Sequence, residues 1–252
     1  MQSNPNEPSF AFDQLPLHWQ MTRCEKYAFD KILEHANPEI ALEIGTYKGG
    51  SLQVIAKVAQ KVFSLDINSK SQDALKPLFK NVEFLSGDSK TLLPTLLAQL
   101  ETERAPLGFV LIDGDHSTEG VRADINAVLR FKPNRPIFVV FHDSFNPECR
   151  SGILTADWHG CPYVHYVEID FIPGVFHFEA FDTAPAKSMY GGLALALMLP
   201  EKRDFDLKIH ESQRGLFETV FKNSCHLKST ENLIVRAKKI LRKTARILKL
   251  KK

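Results

Sequence analysis

Nowhere in this chain do about 18 apolar residues run together, which excludes a membrane-spanning helix of ordinary length. The first twenty residues carry Pro5, Glu7, Pro8 and Asp13 in place of a basic segment followed by an apolar one, so a secretory leader is not expected. Cysteine is scarce: Cys24, Cys149, Cys161 and Cys225 show no CxxC spacing, as expected of reduced thiols in a cytoplasmic protein and not of a disulfide framework or zinc site. Excess charge of one sign is also missing, since the net charge is only +2. That balance hides an asymmetry. Residues 231–252 hold nine Lys and Arg against one acid, leaving residues 1–230 with 23 basic and 29 acidic groups. A mildly acidic body offers no footprint for wrapping nucleic acid, and no nucleic-acid partner is expected.

What is present is a repeated alternation. With 252 residues and 44% hydrophobic content the chain can bury one α/β core plus a tail. Apolar residues at three- and four-residue spacing between Trp19 and Ala36 predict an amphipathic lead-in helix. Short apolar runs then follow at 40–44, 62–67, 82–85, 108–112 and 137–141, with helical stretches at 51–59, 91–100 and 118–131 between them. Buried strands separated by helices predict a Rossmann-like, doubly wound and mostly parallel sheet with helices on both faces. Three later runs, 163–169, 175–181 and 193–199, predict antiparallel strands at one sheet edge. The domain expected is therefore 1–230, with lead-in helix 19–36, a cofactor half 38–146 and substrate-side strands 147–200. The spacing in residues 231–252 predicts a separate basic amphipathic helix, suited to an anionic membrane surface or to docking on the domain itself or on a second copy of a homodimer.

Polar residues gather at the carboxyl ends of the strands, where such sheets bind ligands. The segment Glu43-Ile44-Gly45-Thr46-Tyr47-Lys48-Gly49-Gly50-Ser51 is a small-residue turn between strand and helix, which lets a ligand approach the backbone. Asp66 follows Glu43 by 23 residues, near the spacing at which an acid accepts from the hydroxyls of an adenosine ribose. The turn alone does not separate S-adenosylmethionine (SAM) from a dinucleotide, but the lack of GxGxxG argues against the latter. Asp113 and Asp143 end two successive strands and can hold a hard divalent cation or serve only as hydrogen-bond acceptors. His116 suits general-base work, with His142 as the second choice.

Glu43-x-Gly45-x-Tyr47-x-Gly49-x-Ser51, followed by Asp66-Ile67-Asn68, resembles the SAM-binding stretch of metal-dependent O-methyltransferases related to the catechol and caffeoyl-CoA enzymes. It is also similar to the bacterial group of macrolide-sugar O-methyltransferases and cephalosporin-hydroxylase-like proteins. The likeness covers roughly residues 38–146. It implies that Glu43 belongs to the SAM-binding motif, that Gly45 and Tyr47 line the methionine end of SAM, and that Ser51 meets its carboxylate. It further implies that Asp66 holds the ribose and that Asp88 and Ser89 flank the adenine. The same resemblance implies metal ligands at Asp113, Asp143 and the next position, where this chain has Ser144 in place of the family's Asn or Asp, with Mg²⁺ as the expected ion. His116 stands where the catechol-type enzymes carry a lysine thought to deprotonate the substrate. The activity implied is O-methyl transfer to a hydroxyl of a small molecule or glycan. The basic tail adds, for a protein expected in the cytoplasm, the option of contact with the inner face of a membrane.

Overall fold

The computed structural model describes residues 10–180 and 185–227; the basic segment 231–252 lies outside them. Helix α1 (Arg23–Ala36) begins later than the spacing from Trp19 suggests. Thr22 and Glu25 form a capping box that satisfies the first free amides and starts the helix there. It ends at Asn37, in the left-handed conformation that Asn tolerates. Strand and helix then alternate: β1 (Ile40–Ile44), α2 (Leu52–Val58), β2 (Lys61–Asp66), α3 (Ser69–Leu75), β3 (Val82–Ser86), α4 (Ser89–Thr102), β4 (Leu107–Ile112), α5 (Thr118–Val128), β5 (Ile137–His142) and α6 (Pro147–Leu154). The second half adds β6 (Val164–Ile172), β7 (Val175–His177), β8 (Ser188–Tyr190), β9 (Leu193–Met198), β10 (Ile209–His210) and α7 (Arg214–Asn223).

Eight strands form one sheet in the order β10-β6-β9-β5-β4-β1-β2-β3. All neighbours from β3 to β5 are parallel, and β9 runs antiparallel to both β5 and β6. The antiparallel strand is therefore inserted one place in from the β6–β10 margin, not at the margin itself. The run at 175–181 contributes β7, which leaves the main sheet and pairs with β8 in a two-stranded ribbon. Chain order reverses between β1 and β4, which opens the crevice at the carboxyl ends of these two strands.

Burial explains the pattern. Strand β4 is buried along its whole length. Its Val110 and Ile112 face a layer with Leu93 and Leu97 of α4 and Ile125 of α5, while Phe109 and Leu111 face Phe29 and Leu33 of α1 and Ile55 of α2. A strand covered on both sides needs an unbroken apolar run, and each such side chain contributes about 1.5–3 kcal/mol. Among the described residues, no helix is long and apolar enough to cross a membrane.

Candidate active site

The ends of β1, β2, β4 and β5 build the site. After β1 the chain turns through Gly45, whose φ of +95° and surroundings both require glycine: a Cβ there would lie 2.0 Å from the Asp113 carbonyl oxygen. That close approach welds the turn after β1 to the end of β4. Beneath the turn, Glu43 is wholly enclosed and accepts hydrogen bonds from the Ser51 hydroxyl (2.6 Å) and the Ser64 hydroxyl (2.7 Å). Burial pushes its carboxyl up to about 8, against the pull of the two serines. Glu43 and Ser51 are thus bound to each other, and Glu43 braces the turn from below. At the end of β2, Asp66 Oδ2 accepts from the backbone N–H of Thr46 and of Tyr47, both at 2.9 Å, while Oδ1 accepts from Asn68 N at 2.7 Å. Tyr47 has a φ of 44° and stands exposed over the turn.

The segment before α1 closes one side. Leu17 exchanges two hydrogen bonds with the Gln53 amide, at 3.0 and 2.8 Å, and the chain crosses Gly50 so closely that a Cβ there would lie 2.4 Å from the His18 carbonyl oxygen. Trp19, Met21, Gly45, Tyr47, Ser51 and Asp113 consequently line one cleft. On the other side, Asp88 caps α4 by accepting from Lys90 N at 3.0 Å, and Ser89 opens that helix. Asp124 of α5 points toward this region, with a buried carboxyl that has no hydrogen-bond partner among the described residues. Burial pushes it up to about 6, opposed by the nearby Ser89 hydroxyl.

Asp113 and Asp143 follow the adjacent strands β4 and β5. Asp113, His116 and Asp143 each offer a ligand atom, all within 4.8 Å of one another. His116 lies between the carboxylates, with Nε2 3.3 Å from Asp113 Oδ1 and Nδ1 3.4 Å from Asp143 Oδ2. The hydrogen bond to Asp113 raises the His116 pKa, with Asp143 adding to the effect against burial. Asp115 turns the chain into α5 by accepting from Ser117 N at 2.9 Å, which leaves His116 on the crevice side. His142 sits 3.1 Å from Asp113 Oδ1 through Nδ1. Burial pulls His142 down, but Asp113 and Asp143 outweigh it and hold the ring well above its ordinary value. Burial likewise pushes Asp113 up, and the two imidazoles more than reverse this. Two carboxylates and an imidazole suit a divalent cation. Ser144, expected beside them, is buried with its hydroxyl close to Gly192.

One residue of this centre escapes the sequence reading. Glu25 reaches in from α1, where the capping box had given it an ordinary structural role, and its Oε1 lies 3.6 Å from His142 Nε2.

In comparison with known proteins, residues 42–144 match the family described as methyltransferase domain. Among solved structures, cofactor-bound Rv0187 from MTB is 19% identical with a TM-score of 0.52, covering 76% of this chain and 87% of its own. The O-methyltransferase of Bacillus cereus, solved with S-adenosylhomocysteine (SAH), is 18% identical at 0.52, covering 71% and 82%. TomG of Streptomyces achromogenes, an O-methyltransferase of tomaymycin synthesis solved with SAM, is 16% identical at 0.50, covering 75% and 84%. At these identities the likeness establishes the class I methyltransferase fold. No match was found among curated proteins. The matched stretch holds the site residues from Glu43 to Ser144; Glu25 and Gly192, which touch the centre, lie outside it.

Proposed function

We propose that this methyltransferase transfers the methyl group of SAM to a hydroxyl of a small molecule or glycan, with a divalent cation held by Asp113, His116 and Asp143. The observation that carries the reading is the Gly45–Asp113 contact. It sets the ligand cluster directly beside the cofactor turn, so a hydroxyl held at the cluster faces the methionine end of a SAM molecule in the cleft. Asp66 offers the ribose its remaining acceptor positions, and Asp88 and Ser89 lie toward the adenine end.

Methyl transfer from a sulfonium is an in-line displacement: the acceptor oxygen bonds to the methyl carbon as the carbon–sulfur bond breaks, leaving SAH. The protein's part is to hold the oxygen about 3 Å from the methyl group and to dispose of its proton. A bound divalent cation supplies a lowered hydroxyl pKa. With the cation bound, His116 serves as a ligand and the proton leaves to solvent; without it, His116 is the nearest base and Asp113 and Asp143 orient its ring. A second reading rests on that bridging geometry: the two carboxylates serve only to hold His116, and transfer needs no cation.

Isothermal titration with SAM and SAH tests the proposal, with Asp66→Ala as control and EDTA or Mg²⁺ present. Binding to wild type that is lost in Asp66→Ala supports the cofactor site. A folded protein that binds neither ligand overturns it. Methylation of a hydroxyl-bearing panel that stops in EDTA and returns with Mg²⁺ selects the cation-assisted reading; activity indifferent to EDTA selects the other.

A further inference from the structure

We propose that Glu25 is a positioning residue for the cation site: through His142 it fixes which oxygen Asp113 presents to the divalent ion and the acceptor. This rests on the cation-assisted reading above.

The starting point is a carboxylate that capping does not explain. In a capping box the glutamate needs only to reach back to the N-cap amide, and Glu25 does so with one oxygen, Oε2 accepting from Thr22 N at 2.5 Å. Such residues sit at helix starts, in water, yet Glu25 is 1% exposed. Burying a carboxylate is costly unless other groups satisfy it. Its second oxygen supplies the reason. Oε1 accepts from the backbone N–H of Gly192 and faces His142 Nε2.

The backbone around Glu25 is built for this approach. Gly191 and Gly192 both have positive φ, and a Cβ on Gly191 would lie 2.8 Å from Glu25 Oε1. Only a glycine pair lets the chain entering β9 come so near. The neighbouring amide, Gly191 N, donates to Asp143 Oδ1. One glycine pair therefore holds Glu25 and the second aspartate together.

His142 transmits the effect. Its ring is buried between Glu25 Oε1 at 3.6 Å on Nε2 and Asp113 Oδ1 at 3.1 Å on Nδ1. Nε2 has no hydrogen bond among the described residues, so a small rotation brings it onto Glu25 and nothing else competes for it. With Nδ1 directed at Oδ1, Asp113 keeps Oδ2 for a ligand. Groups that orient a metal ligand from behind change affinity by about 10–100-fold when removed.

The test uses the purified full chain and Mn²⁺ alone, titrated with free Mn²⁺ read by electron paramagnetic resonance. Glu25→Gln is expected to weaken Mn²⁺ binding about tenfold or more, with SAM affinity and melting temperature near wild type. His142→Asn should do the same, and the double variant should lose no more than the worse single. Thr22→Val removes the cap hydroxyl but leaves the carboxylate, and should bind Mn²⁺ normally. A folded Glu25→Gln that binds Mn²⁺ like wild type overturns the inference, as does equal weakening by Thr22→Val, which would make Glu25 merely a cap. Should Glu25→Gln fail to fold, Glu25→Asp decides: it keeps the charge but withdraws it, so wild-type affinity there also counts against the inference. Absence of Mn²⁺ binding in wild type instead overturns the cation reading itself.

Discussion

Replacing Glu43 with glutamine isolates the energetics of the turn beneath the cofactor cleft. The carboxyl is enclosed between Ser51 and Ser64, and burial pushes its pKa up to about 8 from an ordinary value of 4.5. The folded chain thus keeps a proton that the unfolded chain sheds. Its contribution to stability is complete below pH 4.5 and is lost as the pH rises through 8. At about 1.4 kcal/mol per pH unit, the loss reaches about 3 kcal/mol at pH 7 and about 5 kcal/mol above pH 8.5. Glutamine has nearly the same shape and cannot ionise. Urea unfolding of both proteins from pH 5 to pH 9, followed by circular dichroism, should show wild type losing stability relative to Glu43→Gln across that window and levelling off above it. Other titrating groups, Asp124 among them, are common to both proteins and cancel in the difference. A difference that stays constant from pH 5 to pH 9 would refute the assignment of a buried, protonated Glu43.

Two further substitutions probe separate parts of the fold. Gly45→Ala puts a methyl group onto the Asp113 carbonyl and strains a backbone with φ of +95°; a loss of about 2–5 kcal/mol is expected in denaturant melts, with weakened SAM binding in any protein that folds. Arg150 is buried in a bidentate pair with Asp170, at 2.6 and 3.2 Å, and also donates to Glu211. Arg150→Ala leaves the Asp170 charge enclosed without its partner and should cost about 3–5 kcal/mol, whereas a stability change under 1 kcal/mol would show the network to be dispensable.

The parallel half of the sheet was legible because its strands are buried on both faces and read as unbroken apolar runs. The run 40–44 is β1 itself, and β4 and β5 extend the expected runs by one residue each. Helix α3 escaped notice because Ser69–Leu75 is mostly polar and buries only Gln72 and Leu75. Helix α7 carries an apolar stripe, Leu216, Phe217, Val220 and Phe221, that the sequence reading passed over, although none of its residues is fully buried. The polar and aromatic stretch from Phe145 to Phe178 contains α6, with Arg150 in its ion pair and Trp158 buried and donating to the Ile153 carbonyl. The position of β9 between β5 and β6 depends on pairing across some fifty residues, which no local pattern encodes. Asp66, Asp113, His116 and Asp143 were visible because strand ends collect them; Glu25 was hidden because it lies on the lead-in helix α1, far in sequence from the strand ends it meets.

Asp143 adopts a φ of 59°, in the left-handed region that most side chains avoid. Asparagine and aspartate tolerate this region best after glycine. Backbone geometry therefore narrows the substitutions open to this position largely to those two polar residues, one charged and one neutral. Exchange between them would alter the charge of the centre by one while preserving the path of the chain, so the turn after β5 gives mutation a built-in means of changing the electrostatics of the site without rebuilding it.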